Sequence, residues 1–190
     1  MNLQPKTKNT TINSSLQHTP IIFKNLPSSL TITTLLIADS QGRGMEGLQP
    51  GLDVTFQGGA RARNLPGLVT NIDLTPFQTI AVWVGGNDAH PRKGLLNEAQ
   101  FSKDITDFLT YLSSNSPDAR LILMTASRRA SPAPYGNISK INSLLQGVAT
   151  KNKVEICNIF RALDRSNELP TPYLEKDGMH LVGVGVQSTG

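Results

Sequence analysis

The sequence has one cysteine, Cys157, and no closely spaced histidines. A single cysteine cannot form a disulfide within the chain, and it cannot supply a Cys-rich zinc site, which needs about two to four thiolates. The three histidines include no i, i+4 pair, so we expect no histidine-based metal site. Cys157 ends the mostly apolar run 154–157, and this context predicts a buried thiol.

Long apolar segments are also missing. No stretch approaches the ~20 apolar residues that a membrane-spanning helix needs. Lys6 and Lys8 are not followed by the apolar segment of a secretory signal. The sequence therefore predicts a cytoplasmic protein that is not transmembrane. Hydrophobic residues make up 38% and charged residues only 17% of the 190 residues, a composition that excludes the disordered class and favours a folded domain.

The net charge of +4 is concentrated at one end of the chain. Residues 1–30 contain Lys6, Lys8 and Lys24 and no acidic residue, so they carry +3, and the 15 basic and 14 acidic residues of 31–190 leave +1. Residues 2–19 are mostly polar. We therefore expect 1–30 to be a flexible basic arm, capable of weak contact with nucleic acid or an anionic surface, and 31–190 to be the folded domain.

Strand and helix patterns alternate from residue 31 onward. Stretches rich in β-branched and apolar residues predict five strands, at 33–38, 53–56, 79–84, 120–125 and 153–157. Apolar residues at helical spacing predict two helices, with the faces Phe101, Ile105, Phe108, Leu109, Leu112 and Ile138, Ile141, Leu144, Leu145, Val148. Asn97 and Gln100 predict the start of the first helix. This alternation indicates a parallel sheet covered on both faces, with ligands bound beyond the carboxyl ends of its strands.

Residues suited to acyl transfer follow these strands. Ser40 follows the first, Gly59 the second and Asn87 the third, while Asp177 and His180 come after the fifth. His180 could take the Ser40 proton, with Asp177 fixing the imidazole tautomer. The backbone N–H groups of Ser40 and Gly59 and the Asn87 amide are candidate donors to an oxyanion.

Four blocks carry a family resemblance. They are, in order, Ala38-Asp39-Ser40, Gly59, Gly85-Gly86-Asn87-Asp88 and Asp177-Gly178-Met179-His180. Their order resembles the SGNH hydrolases, also called GDSL esterases, over residues 33 to about 182. The resemblance implies an α/β fold, a flavodoxin-like three-layer α/β/α sandwich with a five-stranded parallel sheet in the order 2-1-3-4-5. It also implies Ser40, Asp177 and His180 as the catalytic triad and Gly59 and Asn87 as oxyanion donors. Asp39 and Asp88 flank these residues, and we expect their carboxylates to bond loop backbone.

The same resemblance implies the reaction. A serine ester hydrolase of this family works through an acyl-enzyme without metal or cofactor, here on acetyl or other short-acyl esters of a small molecule, lipid or carbohydrate. Two departures stand out: Ala38 replaces the first glycine, and Gln41 the leucine that often follows the serine.

An alternative function rests on Gly59-Ala60-Arg61, which also resembles the esterase modules of some retrotransposon-encoded proteins. Those modules sit beside nucleic-acid-binding segments. In this alternative the chain is a low-turnover binding or assembly module that the basic arm delivers to RNA or a membrane.

Two other motifs fit less well. Residues 42–47 match G-x-G-x-x-G, but no acidic residue lies between Asp53 and Asp73, where a dinucleotide-binding domain needs one. The segment is better interpreted as the loop and helix start that carry Ser40. Residues 38–42 loosely match a G-x-S-x-G elbow, which would follow several strands rather than the first.

Overall fold

A computed structural model describes residues 33–90, 94–127 and 135–159 of the chain. It contains a five-stranded, all-parallel sheet in the order β2-β1-β3-β4-β5. The strands are β1 (Thr34–Ala38), β2 (Leu52–Phe56), β3 (Thr79–Trp83), β4 (Arg120–Met124) and β5 (Glu155–Cys157). The predicted fold class and strand order are confirmed, and the strand boundaries differ from the predicted ones by no more than two residues. The arm, Asp177 and His180 lie outside the described residues.

The burial of the central strands β1 and β3 explains why continuous apolar runs predicted them. β1 and β3 each have a neighbour on both sides and are buried along nearly their whole length. A strand covered on both faces needs a continuous apolar run rather than an alternating one. The runs Leu35–Ala38 and Ile80–Trp83 meet that requirement and lie in register, with Ala38 opposite Trp83.

Three helices are described: α1 (Leu65–Val69), α2 (Glu98–Asn115) and α3 (Tyr135–Asn152). The predicted start of α2 is confirmed, because the Asn97 side chain accepts the Gln100 N–H at 3.0 Å. Helix α1 was not predicted, since Pro66 and Gly67 are poor residues for a helix interior. A short helix of five residues is still possible because Pro66 lies in its first turn, where a backbone N–H has no hydrogen-bond acceptor within the helix.

All three helices contribute to one core, on one face of the sheet. This core joins the inward residues of the helices to those of the strands, including Leu35, Ile37, Ile80, Val82, Leu123, Leu65, Val69, Phe101, Ile105, Phe108, Ile138, Ile141 and Leu145. The connections β2–β3, β3–β4 and β4–β5 all run in the same direction along the sheet, and right-handed crossovers then place their helices on the same face.

The opposite face carries a smaller core. It is formed by Leu36, Ala38, Ala81 and Trp83, against which Met45 of the β1–β2 connection packs. That connection runs in the reverse direction along the sheet, so a right-handed crossover brings it to this second face. The connections therefore diverge between β1 and β3, and this switch point is where a parallel sheet binds ligands.

The prediction of a buried Cys157 is wrong. Cys157 is exposed, as are the other residues of β5. The strand lies at the edge of the sheet, and its Glu155 forms an exposed ion pair with Arg120 of β4. The apolar signal of the segment came partly from Val154, which precedes the strand and packs against the main core.

Gly85, which follows β3 by two residues, provides a test of the packing. Its φ is +113°, and a Cβ there would lie 2.7 Å from Ile141 Cγ2 of α3. We expect Gly85→Ala to lower the free energy of unfolding by about 2–4 kcal/mol, because backbone strain and overpacking add. Urea denaturation measures this change.

The matched control is Gly147→Ala, in α3, the helix that also carries Ile141. A Cβ at Gly147 meets no atom within 4 Å, so this variant should be stabilised by about 0.5–1 kcal/mol. Equal stabilities of the two variants would contradict the packing described for Gly85.

Candidate active site

Ser40 lies in a tight turn at the carboxyl end of β1. The strand ends at Ala38, and Ser40–Gly42 form a single 3-10 turn. Asp39 caps this turn, because its carboxylate accepts the Gln41 N–H at 2.9 Å. Asp39 is only 1% exposed and Gln41 is buried, whereas Ser40 between them is half-buried. The fold thus leaves the serine accessible on a turn that its neighbours hold in place.

Close packing fixes the position of this turn. A Cβ on Gly42 would lie 2.9 Å from the Cβ atoms of both Ala38 and Phe56, so the turn lies directly on β1 and β2. The helix start expected after Ser40 is reduced to these three residues. Gly44 and Gly47 have φ values of +75° and +74°, which interrupt any helix there. A dinucleotide site needs a helix N-terminus at this point, and the segment does not provide one.

Asn87 connects the loops that follow three neighbouring strands. It comes four residues after β3 and is 7% exposed. Its Nδ2 donates to the Ala60 carbonyl oxygen at 3.1 Å, beyond β2, and to Asp39 Oδ2 at 3.3 Å, beyond β1. The structure therefore brings the blocks that contain Ser40, Gly59 and Asn87 together at the carboxyl edge of the sheet, at the switch point between β1 and β3.

Gly59 lies in an exposed turn between β2 and Ala60. Its φ of +78° is in the left-handed region, where glycine has no steric penalty. The turn is closed by the Ala60 N–H, which donates to the Gln57 carbonyl at 3.1 Å. Because Ala60 is bonded to Asn87, Gly59 and Asn87 are close together, as the sequence pattern predicted.

Asp88 is half-buried behind Asn87 and bonds loop backbone, as expected. The Ala62 N–H lies 3.3 Å from its Oδ2 and 3.4 Å from its Oδ1. Burial raises the pKa of Asp88 from 3.8 to about 6, although the Ala62 N–H and the positive charge of Arg61 oppose the rise. The negative charge of Asp39 raises this pKa further, so two carboxylates lie close to the candidate oxyanion donors.

The raised pKa of Asp88 predicts a pH dependence of stability. Since the pKa is about 6 in the folded protein and near 3.8 when the chain is unfolded, the folded state binds the proton more tightly. Stability from this group is therefore present below about pH 4 and lost as the pH rises through 6. The loss is at most about 3 kcal/mol, from roughly two pH units at 1.4 kcal/mol each.

Asp88→Asn serves as the non-titrating reference for this measurement. We expect the difference in unfolding free energy, parent minus variant, to fall between pH 4 and pH 7 in urea titrations. A difference that stays constant with pH would contradict the assignment of the raised pKa to Asp88.

Two asparagines that the sequence analysis missed bond the backbone of the segments after β3 and β4. Asn142 of α3 accepts the Ala126 N–H at 2.8 Å and donates to the Ala126 carbonyl at 3.1 Å, which fixes the chain just after β4. Asn137 donates to the Ala89 carbonyl at 3.0 Å. Asn142 follows Ile138 by four residues and so interrupts the apolar stripe of α3, a signal that could have identified it.

In residues 33–90, 94–127 and 135–159, no helix has the length and apolar character that crossing a membrane requires. Within the same ranges, no group of three or more His, Cys, Asp or Glu side chains could hold a metal ion.

Comparison with known proteins gives matches of structure only. No protein-family model matches the sequence, and no curated protein matches it. A GDSL-like lipase from Bacteroides thetaiotaomicron has a TM-score of 0.64 at 18% identity, with 80% of this chain and 81% of that chain covered. A lipase/acylhydrolase from Enterococcus faecalis gives 0.65 at 15% identity, covering 80% and 89%.

An acetyl xylan esterase gives a TM-score of 0.61 at 15% identity, with 80% of this chain and 93% of that chain covered. Each of these matches covers most of both chains. The chain therefore has the fold of the GDSL-like lipases and acylhydrolases, the SGNH hydrolase fold.

Proposed function

We propose that this protein is a serine ester hydrolase that uses Ser40 as its nucleophile. The observation that carries the proposal is the position of Asn87, whose amide joins the loop of Gly59 to the turn of Ser40. A nucleophile at Ser40 and oxyanion donors at Gly59 and Asn87 would therefore lie together at this edge of the sheet. The names of the structural neighbours, lipases, acylhydrolases and an acetyl xylan esterase, support the same chemistry.

The proposed reaction has two steps. Ser40 Oγ attacks the ester carbonyl while His180 accepts its proton, and Asp177 holds the imidazole in the required tautomer. The tetrahedral intermediate collapses to an acyl-enzyme as His180 gives the proton to the departing alkoxide. Water, deprotonated by His180, then attacks the acyl-enzyme, and the acid is released as Ser40 regains its proton.

Asn87 contributes by binding the oxyanion of the tetrahedral intermediate. We propose that the oxyanion accepts hydrogen bonds from the N–H groups of Ser40 and Gly59 and from the Asn87 amide. Both amide protons of Asn87 have acceptors, at 3.1 Å on Ala60 and 3.3 Å on Asp39. The longer of these bonds is the one we expect the oxyanion to displace. Asp39 would keep its bond from the Gln41 N–H.

Short acyl groups, acetyl above all, are the proposed substrates. The test is hydrolysis of p-nitrophenyl acetate, butyrate and octanoate by the purified protein. We expect kcat/KM to be highest for acetate and about tenfold or more lower for octanoate. No hydrolysis of any ester above the buffer rate would contradict the proposal, and a preference for octanoate would contradict its short-acyl part.

A further inference from the structure

Two hydrogen bonds connect the segment after β2 to the loop after β3. Asn87 Nδ2 donates to the Ala60 carbonyl at 3.1 Å, and the Ala62 N–H donates to the Asp88 carboxylate at 3.3 Å. The loop after β3 is therefore the donor in one bond, through Asn87, and the acceptor in the other, through Asp88. Gly59 immediately precedes the bonded segment 60–62, so its position depends on these two bonds.

The loop that carries Asp88 is itself held firmly. The Ala89 N–H donates to the Gly85 carbonyl at 3.0 Å, and Asn137 of α3 donates to the Ala89 carbonyl at the same distance. A loop that is bonded to a long helix can restrain the position of a more exposed turn that is bonded to the loop. The Gly59 turn is that exposed turn, because Gly58 and Gly59 both face solvent.

The Ala62 N–H donates to both oxygens of the half-buried Asp88 carboxylate, at 3.3 and 3.4 Å. A carboxylate that accepts a backbone N–H is charge-assisted, and such bonds are stronger than neutral ones when they are partly removed from water. Ala62 is 1% exposed, so loss of its acceptor would leave a backbone N–H in a nearly dry position. The segment would then move to find another partner, and Gly59 would move with it.

We propose that Asp88 is a positioning residue for the acyl-transfer reaction. Its carboxylate holds segment 60–62, and thereby the Gly59 N–H, at the separation from Asn87 that two donors to one oxyanion require. The inference rests on the proposed function and adds a residue that does not touch the substrate. A displacement of the order of 1 Å in such a site costs about a hundredfold in rate.

Three variants separate positioning from general stability. Asp88→Ala removes the acceptor, whereas Asp88→Asn keeps a side-chain oxygen for the Ala62 N–H. Ala62→Pro removes the donor from the other side of the same bond. Ala62 begins a 3-10 turn and follows Arg61, which is extended (φ −115°, ψ 169°), so a proline is compatible with the backbone there.

Asp73→Ala is the matched control. Asp73 also accepts a backbone N–H, that of Thr75 at 3.0 Å, but it lies in the loop between α1 and β3, before the amino end of that strand. We expect Asp73→Ala to change the rates of ester hydrolysis and of Ser40 labelling very little.

The experiment measures kcat and KM for p-nitrophenyl acetate and the rate at which a fluorophosphonate labels Ser40, each per folded molecule. We expect Asp88→Ala to lower kcat and the labelling rate by about 10–100-fold with KM changed much less. Asp88→Asn should stay within about threefold of the parent, and Ala62→Pro should match Asp88→Ala.

Several outcomes would overturn the inference. Labelling of Asp88→Ala at the parental rate, or equal impairment of Asp88→Asn and Asp88→Ala, would exclude the oxygen acceptor as the cause. Equal impairment of Asp73→Ala would show that the effect is not specific. If Asp88→Ala does not fold, a parental rate in Ala62→Pro overturns the inference alone. A parent protein that is not labelled at all would overturn the proposed function and this inference with it.

Discussion

Replacing Ser40 by alanine is expected to reduce ester hydrolysis to the background rate, a loss of about a thousandfold to a millionfold in kcat. The change removes the proposed nucleophile, so no acyl-enzyme can form. The turn itself should persist, because it is capped by the Asp39 carboxylate on the Gln41 N–H and not by the serine hydroxyl. Initial rates with p-nitrophenyl acetate measure the loss, and circular dichroism checks that the variant is folded.

Ser143→Ala is the control for Ser40→Ala. Ser143 is exposed on α3, and its hydroxyl donates to the Ser139 carbonyl at 3.0 Å within the helix. This variant should keep the parental rate. Hydrolysis by a folded Ser40→Ala protein at more than about a tenth of the parental rate would exclude Ser40 as the nucleophile.

The second large effect is expected for Asn87→Ala. Loss of one oxyanion donor lowers kcat by about a hundredfold to a thousandfold in comparable sites. The change also leaves the Ala60 carbonyl and the Asp39 carboxylate, both in nearly fully buried residues, without the Asn87 donor. We therefore expect a further loss of about 1–3 kcal/mol in the free energy of unfolding.

Asn142→Ala distinguishes these two consequences of the Asn87 change. Asn142 is also 7% exposed and also makes two hydrogen bonds, but both go to the backbone of Ala126, which follows β4 rather than lying among the proposed oxyanion donors. We expect Asn142→Ala to lose comparable stability while each folded molecule keeps a kcat near that of the parent. If the two variants lost kcat equally, Asn87 would have no special part in the reaction.

The central part of the fold was predictable because it follows from short-range patterns. β1 and β3 are continuous apolar runs, and α2 and α3 each carry an apolar stripe at helical spacing. The cap of α2 by Asn97 was also readable, since a side-chain acceptor three residues before a free N–H is a local feature. Right-handed crossovers and the strand order then place the residues after β1 and β3 on either side of the switch point.

Features that depend on tertiary contacts were less accessible. Helix α1 contains Pro66 and Gly67 and forms because its ends, Leu65 and Val69, are buried in the main core. The exposure of Cys157 depends on its place in an edge strand, which the apolar character of residues 154–157 does not reveal.

The candidate site shows the same division. Ser40, Gly59 and Asn87 could be named from their places after strands. Asp39 and Asp88, which flank them, could be named as well, and their carboxylates accept bonds from Asn87 and from the Ala62 N–H. The backbone partners are the carbonyl of Ala60 and the N–H of Ala62. Every residue except proline has both groups, so no sequence pattern marks these partners.

Covalent labelling tests the central claim most directly. The intact parent protein is treated with a fluorophosphonate, which reacts with activated serines, and the labelled peptide is then identified by mass spectrometry. We predict one adduct for each protein molecule, carried by the peptide that contains Ser40, and no adduct on Ser40→Ala under the same conditions. A parent protein without an adduct, or a Ser40→Ala protein labelled as fully as the parent, would contradict the account.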